Sequence, residues 1–252
     1  MRPRPLLSIR GLRKVFPFTG GFHTVLDGID FDVEEGEFIC FLGRSGCGKT
    51  TLLKILAGFL LPNAGRVRLA GKPVTGPGPE RCFVFQEDAL FPWLTVAENI
   101  GFGLRGRARD RASRRKAVDR YLSMVGLSGF GEYLPHEISG GMKQRVALAR
   151  VLILEPRVLL MDEPFASLDA QTREEMQELL QSLWRQLSHT ILFVTHDVHE
   201  AVILADRVLL MAKDPGCIRE TVPIGLPRPR GREDAAFLGL CRTLHTALRE
   251  GA

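Results

Sequence analysis

Gly43-Arg44-Ser45-Gly46-Cys47-Gly48-Lys49-Thr50-Thr51 interrupts an otherwise apolar stretch, and the rest of the chain can be placed outward from it. The preceding Phe38-Ile39-Cys40-Phe41-Leu42 is short and bulky, as a buried strand is. The following Leu52-Leu53-Lys54-Ile55-Leu56-Ala57 reads as a helix with Gly58 as its stop. Strand, glycine turn, Lys-Thr and helix together specify a phosphate-binding loop. Glycines let the backbone curl until successive N–H groups face inward, and the new helix adds the positive end of its dipole. Gly43, Ser45, Gly46 and Gly48 then shape the cradle and Lys49 reaches the β- and γ-phosphates. The Thr50 hydroxyl ligates Mg²⁺, with Thr51 beside it in the first turn.

At 252 residues the chain can bury a full core and suits one α/β domain or a domain with a sizeable insertion. Its 45% apolar and 25% charged content is that of an ordinary globular protein. No uninterrupted apolar run approaches the ~18 residues of a membrane span. The start, Met1-Arg2-Pro3-Arg4-Pro5-Leu6-Leu7-Ser8, is too short and proline-broken in its apolar part for a signal peptide. The expectation is a cytoplasmic protein whose membrane role comes through a partner. Cys40, Cys47, Cys82, Cys217 and Cys241 form no CxxC pair, so neither a zinc site nor a disulfide framework is indicated. Cys47 lies near a helix N-terminus, where a thiolate is favoured, but the favoured reading is that it fills a variable loop position, with a reactive thiol as the alternative. The net charge of +5 points toward nucleic acid, but its distribution does not. Arg105 to Arg120 holds eight basic and two acidic residues, leaving 26 basic and 27 acidic for the remainder. With no aromatic side chain interleaved before Tyr121, base stacking has little to work with, and no nucleic-acid partner is expected. A solvated helix face near anionic lipid headgroups is the favoured meaning.

The opening third reads as strands: Leu7–Arg10 and Lys14–Phe16 together carry one, followed by Ile29–Val33 and Arg66–Leu69, with a loop from Gly71 to Pro79 and a short buried strand Cys82–Phe85 ending at Gln86. From Glu87 the character turns helical. Thr95 and Glu98 form a capping box before Val96, and Val118, Tyr121, Leu122 and Val125 share one helix face closed by Gly126. Pro135 to Ser139 is a loop, and Lys143–Leu154 a helix stopped by Pro156. Strand character returns at Val158–Met161, helix at Gln171–Leu187, and strand at Thr190–Val194. Asp197 with Glu200 caps a short helix, and Arg207–Met211 is a last strand. Pro223–Arg232 is a surface loop leading to a short helix through Leu244.

A phosphate loop needs a second strand bearing carboxylates. Val158-Leu159-Leu160-Met161-Asp162-Glu163 offers four apolar residues and then two acids at the C-terminal edge, where ligands bind in open α/β sheets. Adjacent acids point in different directions, so Asp162 can face the metal and Glu163 the attacking water.

Ile138-Ser139-Gly140-Gly141-Met142-Lys143-Gln144-Arg145 resembles the signature of ATP-binding-cassette (ABC) ATPases, lying before a helix and about 17 residues ahead of the acid-tipped strand. Physically it is a second helix start with glycine N–H groups and a serine hydroxyl. The resemblance, over roughly residues 6 to 222, implies a P-loop (RecA-like) α/β core with an N-terminal antiparallel β subdomain and an inserted α-helical subdomain. It implies ATP and Mg²⁺ as cofactors and two copies packed head-to-tail, each ATP lying between one phosphate loop and the partner's Ser139, Gly140 and Gly141. By the same resemblance Gln86 links γ-phosphate, metal and membrane partner, and Asp169 of Ser167-Leu168-Asp169 belongs to the D-loop. His196 is the switch histidine, and Phe16 stacks on adenine, a place Phe18 or Phe22 could also take. Glu163, His196, Lys49 and Gln86 form the implied catalytic set; Thr50, Gln86 and Asp162 hold the metal. Met142 departs from the usual glutamine, and Phe16 from the commoner tyrosine.

Gly76–Val96, the Ser-Gly-Gly-Met signature and the Leu226-Pro227-Arg228-Pro229-Arg230 tail are similar to the nitrate/sulfonate/taurine branch of bacterial importers. This implies integral membrane permease subunits as partners, a periplasmic solute-binding protein acting indirectly, and residence at the cytoplasmic face of the membrane. Phe91, Pro92 and Trp93 are expected to grip the permease's coupling helix, with core packing as the alternative for Trp93. The expected division is 1–86 with 156–222 as nucleotide-binding core, 87–155 as helical subdomain and 223–252 as tail. A soluble cassette scaffold of the iron–sulfur assembly type is the alternative function.

Overall fold

The computed structural model describes residues 5–86, 89–105 and 110–250. They fall into two compact units: one takes the chain up to Gly78 together with everything from Thr190 onward, the other is Pro79–His189. Expectations resting on Met1–Arg4, on Glu87 and Asp88, and on Gly106–Arg109 of the basic segment lie outside the described residues.

In the first unit β1 (Leu7–Phe18) and β2 (Gly21–Val33) form a long antiparallel hairpin. On the other side of β1 lies β4 (Ala64–Leu69), and the two-residue β5 (Lys72–Pro73) sits at the edge. Inward-facing Leu7, Ile9, Leu12, Leu26, Ile29 and Val33 are fully buried, as period-two alternation requires. Leu7–Arg10 and Lys14–Phe16 lie in one strand, as expected, because bulges absorb the intervening residues without breaking the ladder. The bulge is closed by the Asp30 carboxylate, which accepts the Gly11 N–H at 2.9 Å.

The same unit holds β3 (Phe38–Gly43), β8 (Thr190–Thr195), β9 (Arg207–Ala212) and β10 (Cys217–Pro223), ordered β10-β9-β3-β8. β3 runs parallel to both neighbours and every residue of β3 and β8 is buried, which explains their unbroken apolar runs. Register pairs Leu42 with Thr195 and Gly43 with Met211, bringing the end of β3 and the residue before His196 to the same C-terminal edge. The strand β10 was not expected: it is an edge strand pairing antiparallel with β9 and largely exposed, so it carries little apolar signal. Helix α1 (Lys49–Ala57) follows β3 and ends at Gly58, as expected. Helix α6 (Val198–Leu204) follows β8, and α7 (Ala235–Glu250) buries Phe237, Cys241 and Leu244. α7 runs six residues beyond the expected Leu244, its last turn held by an Arg219 Nη1 donation to the Ala247 carbonyl at 3.1 Å.

The second unit pairs β6 (Arg81–Val84) in parallel with β7 (Val158–Asp162). Around them lie α2 (Val96–Gly101), α3 (Arg111–Met124), α4 (Gly140–Leu152) and α5 (Ala170–Leu187). The Thr95/Glu98 capping box is formed in both directions, at 3.2 and 3.0 Å. α4 starts three residues before the expected Lys143, because Ser139 caps it and draws both glycines into the first turn. It stops at Leu152 rather than Leu154, and Glu155 takes a left-handed φ of 51°. Among the described residues no helix is long and apolar enough to cross a membrane.

Candidate functional site

The loop after β3 is a cradle built from backbone. Gly46 (φ 83°) and Gly48 (φ 93°) occupy the left-handed region that favours glycine. A Cβ on Gly48 would lie 2.6 Å from Leu26 Cδ2, and one on Gly43 would meet Cys47 Sγ at 2.7 Å and the Met211 carbonyl at 2.8 Å. α1 starts at Gly48 with no side-chain cap, so its positive end is presented at the loop rather than neutralised by a carboxylate. The buried Lys49 amine donates to the Gly43 carbonyl at 2.7 Å and the Arg44 carbonyl at 3.2 Å, lying along the loop. Ser45 is exposed, and Thr50 and Thr51 lie in the first turn of α1. The loop is backed from behind: Gly216, in the turn between β9 and β10, donates its N–H to the Val25 carbonyl at 3.0 Å. A Cβ there would stand 2.3 Å from the Cys47 carbonyl.

Cys47 is buried, its sulfur only 2.7 Å from where a Cβ on Gly43 would stand, so the loop shields it from solvent, as the loop-filling reading expects. Cys241 is held as a thiol, burial pushing it up to about 11 with Asp197 adding to the effect.

His196 follows β8 and is exposed, but its neighbours are fixed. The Thr195 hydroxyl donates to the buried Glu200 carboxylate at 2.6 Å and accepts the Asp197 N–H at 3.0 Å. Asp197 caps α6 by accepting the N–H groups of His199 and Glu200, as expected; Glu200 turns inward instead of completing a capping box. Phe16 lies half-buried on β1, with Lys14 Nζ 4.9 Å from its ring centroid, whereas Phe18 and Phe22 stand well exposed at the hairpin tip.

In the second unit, Asp162 ends β7 and Glu163 follows with φ 46°, an unusual conformation for a residue with a Cβ. Asp169 caps α5, accepting the Thr172 N–H at 2.9 Å and its hydroxyl at 2.8 Å. These bonds hold its carboxyl below the usual range. Ser139 caps α4 through the Met142 N–H at 3.3 Å. Around Gly140 a Cβ would meet nothing within 4 Å, while at Gly141 it would lie 2.5 Å from Thr172 Cγ2, so the signature turn packs against the first turn of α5. Gln144 of α4 donates to the Gln86 carbonyl at 3.4 Å, and Arg150 to the Ala89 carbonyl at 2.9 Å. α4 thus touches both the signature turn and the Gln86 segment, whose side chain is exposed. Trp93 is not core: it is 72% exposed, and Phe91 joins it (5.7 Å) to Phe102 (4.4 Å).

The residues fit the implied cofactors. Left-handed glycines, an uncapped helix start and a buried lysine suit a polyphosphate. The Thr50 hydroxyl in the first turn of α1 is by itself a donor that suits Mg²⁺, which binds through few protein oxygens and takes others from phosphates. Sequence reasoning missed what lies under His196. Glu200 was taken for a cap, and the arginines of the Leu226–Arg230 segment, read as a surface loop, are held inward on α6. Arg230 is buried. An arginine between prolines carries no sign of burial; only its partners reveal it.

The ABC transporter family model matches residues 26–166. The chain is 47% identical to the bicarbonate transport ATP-binding protein CmpD of Synechococcus elongatus, covering 91% of this chain and 84% of that protein. It is 48% identical to the nitrate import ATP-binding protein NrtD of a Synechocystis species, over 88% and 83%. A dimeric ATP-binding cassette solved in a post-hydrolysis state with ADP and phosphate superposes with a TM-score of 0.76 at 28% identity, covering 89% of this chain and 99% of that one. The parallel strands behind the loop, the antiparallel sheet and the inserted helices are those of a cassette ATPase, and the chain belongs to the ABC transporter family as an ATPase using ATP and Mg²⁺.

Proposed function

We propose that this chain is the ATP-hydrolysing subunit of an importer for a small oxyanion of the nitrate or bicarbonate kind, acting as a head-to-tail homodimer beneath an integral membrane permease. The names of the two relatives support the solute class. The observation that carries the dimer is Gly140, at a helix start bearing a serine and two glycines, with open space where a side chain would be. Such a turn can take an anion brought by a second molecule. The solved cassette dimer supports the same reading.

In this reading Lys49 and the α1 N-terminus hold the phosphates, Phe16 stacks on the base, and Thr50, Asp162 and Gln86 would hold Mg²⁺, which would supply positive charge to offset that of the phosphates. Glu163 accepts the proton of the attacking water, and His196 holds the γ-phosphate. The partner's Ser139 and the partner's Gly141 steady the charge on the transferred group. Asp169 positions the neighbouring turn. Residues 87–155 act as the helical subdomain of a core made by 1–86 and 156–222, with 223–252 as tail. Trp93 and Phe91 supply an apolar anchor for the permease, placing the chain on the membrane surface, and a periplasmic binding protein delivers solute to the permease.

Glu163→Gln tests the chemistry. It should bind ATP, pass from monomer to dimer on a sizing column, and hydrolyse at least 100-fold more slowly; wild-type turnover would overturn the reading. With the permease in proteoliposomes, solute-stimulated ATPase should follow nitrate or bicarbonate rather than a sulfonate or taurine. Trp93→Ala should cut that stimulation at least tenfold while leaving ATP affinity unchanged.

A further inference from the structure

The Leu226–Arg230 tail lies against the helix that follows the switch histidine. Arg230 donates from Nη1 to the Val202 carbonyl at 2.5 Å and the Ala205 carbonyl at 2.7 Å. From Nε and Nη2 it reaches the Leu226 and Ile224 carbonyls, both at 3.3 Å. Arg228 donates to the Leu204 carbonyl at 2.6 Å and pairs with Asp206 at 2.5 Å. Two guanidinium groups therefore donate to the Val202 and Leu204 carbonyls of the last turn of α6 and to Ala205 just beyond it, where cations are favoured by the helix dipole. Burial pulls Arg230 down to about 10, with Arg228 contributing, so it stays charged at neutral pH.

α6 is only seven residues long and would not persist alone. Its N-terminal end is Asp197, next in sequence to His196, and its first turn carries Glu200, which holds the Thr195 hydroxyl. The helix is about 10 Å long and too short to bend. Displacement at the Arg230 end therefore moves Asp197, Glu200 and the Thr195–Asp197 turn together. We propose that the tail is a brace for the His196 loop, and that Arg230 is a positioning residue for ATP hydrolysis, acting through α6 and touching no nucleotide. The catalytic half of this statement rests on the role given above to His196; the mechanical half does not.

The test uses the full chain labelled with ¹⁵N-histidine, the His196 signals being assigned by their loss in His196→Ala. Arg230→Met should lower kcat at least tenfold, keep the Kd for ATP within about twofold, and shift or broaden the His196 imidazole signals while leaving those of His136 in place. Placed in the His196→Ala background, it should cost less than twofold further. Unmoved His196 signals in folded Arg230→Met, or an equal loss in both backgrounds, would overturn the brace. Should the methionine variant fail to fold, Arg230→Lys keeps the charge and part of the bonding. It should give a smaller displacement of the same signals, and none would overturn the proposal. Wild-type turnover by His196→Ala would remove the catalytic role of that histidine, and the imidazole signals would still decide the mechanical claim.

Discussion

The loop at Gly43–Thr51 and the turn at Ser139–Met142 are both glycine-bearing helix starts, yet they are built in opposite ways. The first is enclosed. Its glycines sit against Leu26, Cys47 and Met211, its helix has no side-chain cap, and a buried lysine lies along it. The second is open. Ser139 caps its helix, Gly140 faces empty space, and only Gly141 is pressed, against Thr172. The first has the form of a closed phosphate cradle. The second has the polarity for an anion, and in the proposed dimer its walls would come from another molecule.

The largest effect expected from this contrast lies in the enclosed loop. Lys49→Ala removes the loop's buried lysine and should reduce ATP affinity or turnover by two orders of magnitude or more in a nucleotide-binding or phosphate-release assay. Normal turnover would break the comparison at its stronger end. The next effect separates the two signature glycines. Gly141→Ala drives a methyl into Thr172 and should cost roughly 1–3 kcal/mol of stability, read as a lower denaturant midpoint. Thr172→Ser removes the offending methyl while keeping the hydroxyl for Asp169, and should restore most of it. Gly140→Ala should leave the midpoint within ~0.5 kcal/mol yet impair ATP-driven dimerisation; a stability loss like that of Gly141→Ala would show the turn to be closed. The smallest effect is electrostatic. Thr172 lowers Asp169, and Arg10 lowers Asp32 by donating to it. Carboxyls lowered in the folded state stabilise it above their unfolded values, near 4, and lose that contribution as pH falls through the folded ones. Melting temperature should therefore be flat from about pH 7 to 5 and fall below about pH 4. Asp169→Asn should soften the fall slightly, since the group is exposed.

What the sequence disclosed followed how local each signal is. The β3 strand, the loop, α1 and the acids after Met161 are contiguous patterns whose physics is self-contained, and the structure places each where it was expected. β10 was missed because an edge strand half in water has no apolar periodicity. The start of α4 was set late since two glycines argue against helix, and only the Ser139 cap brings them in. His196 follows its strand as expected, but the inward turn of Glu200 and the burial of Arg230 were not legible: a buried carboxylate and a buried guanidinium look like any other charge in sequence.

Hairpin tips are ordinarily where a chain best tolerates insertions, tags and cuts. The turn between β9 and β10 is such a tip, yet Gly216 stands with its α-carbon against the backs of Cys47 and Val25. A reporter peptide inserted there would wedge open the floor of the phosphate loop, whereas the tip at Gly20–Gly21, with only Phe18 nearby, should carry one with the fold intact.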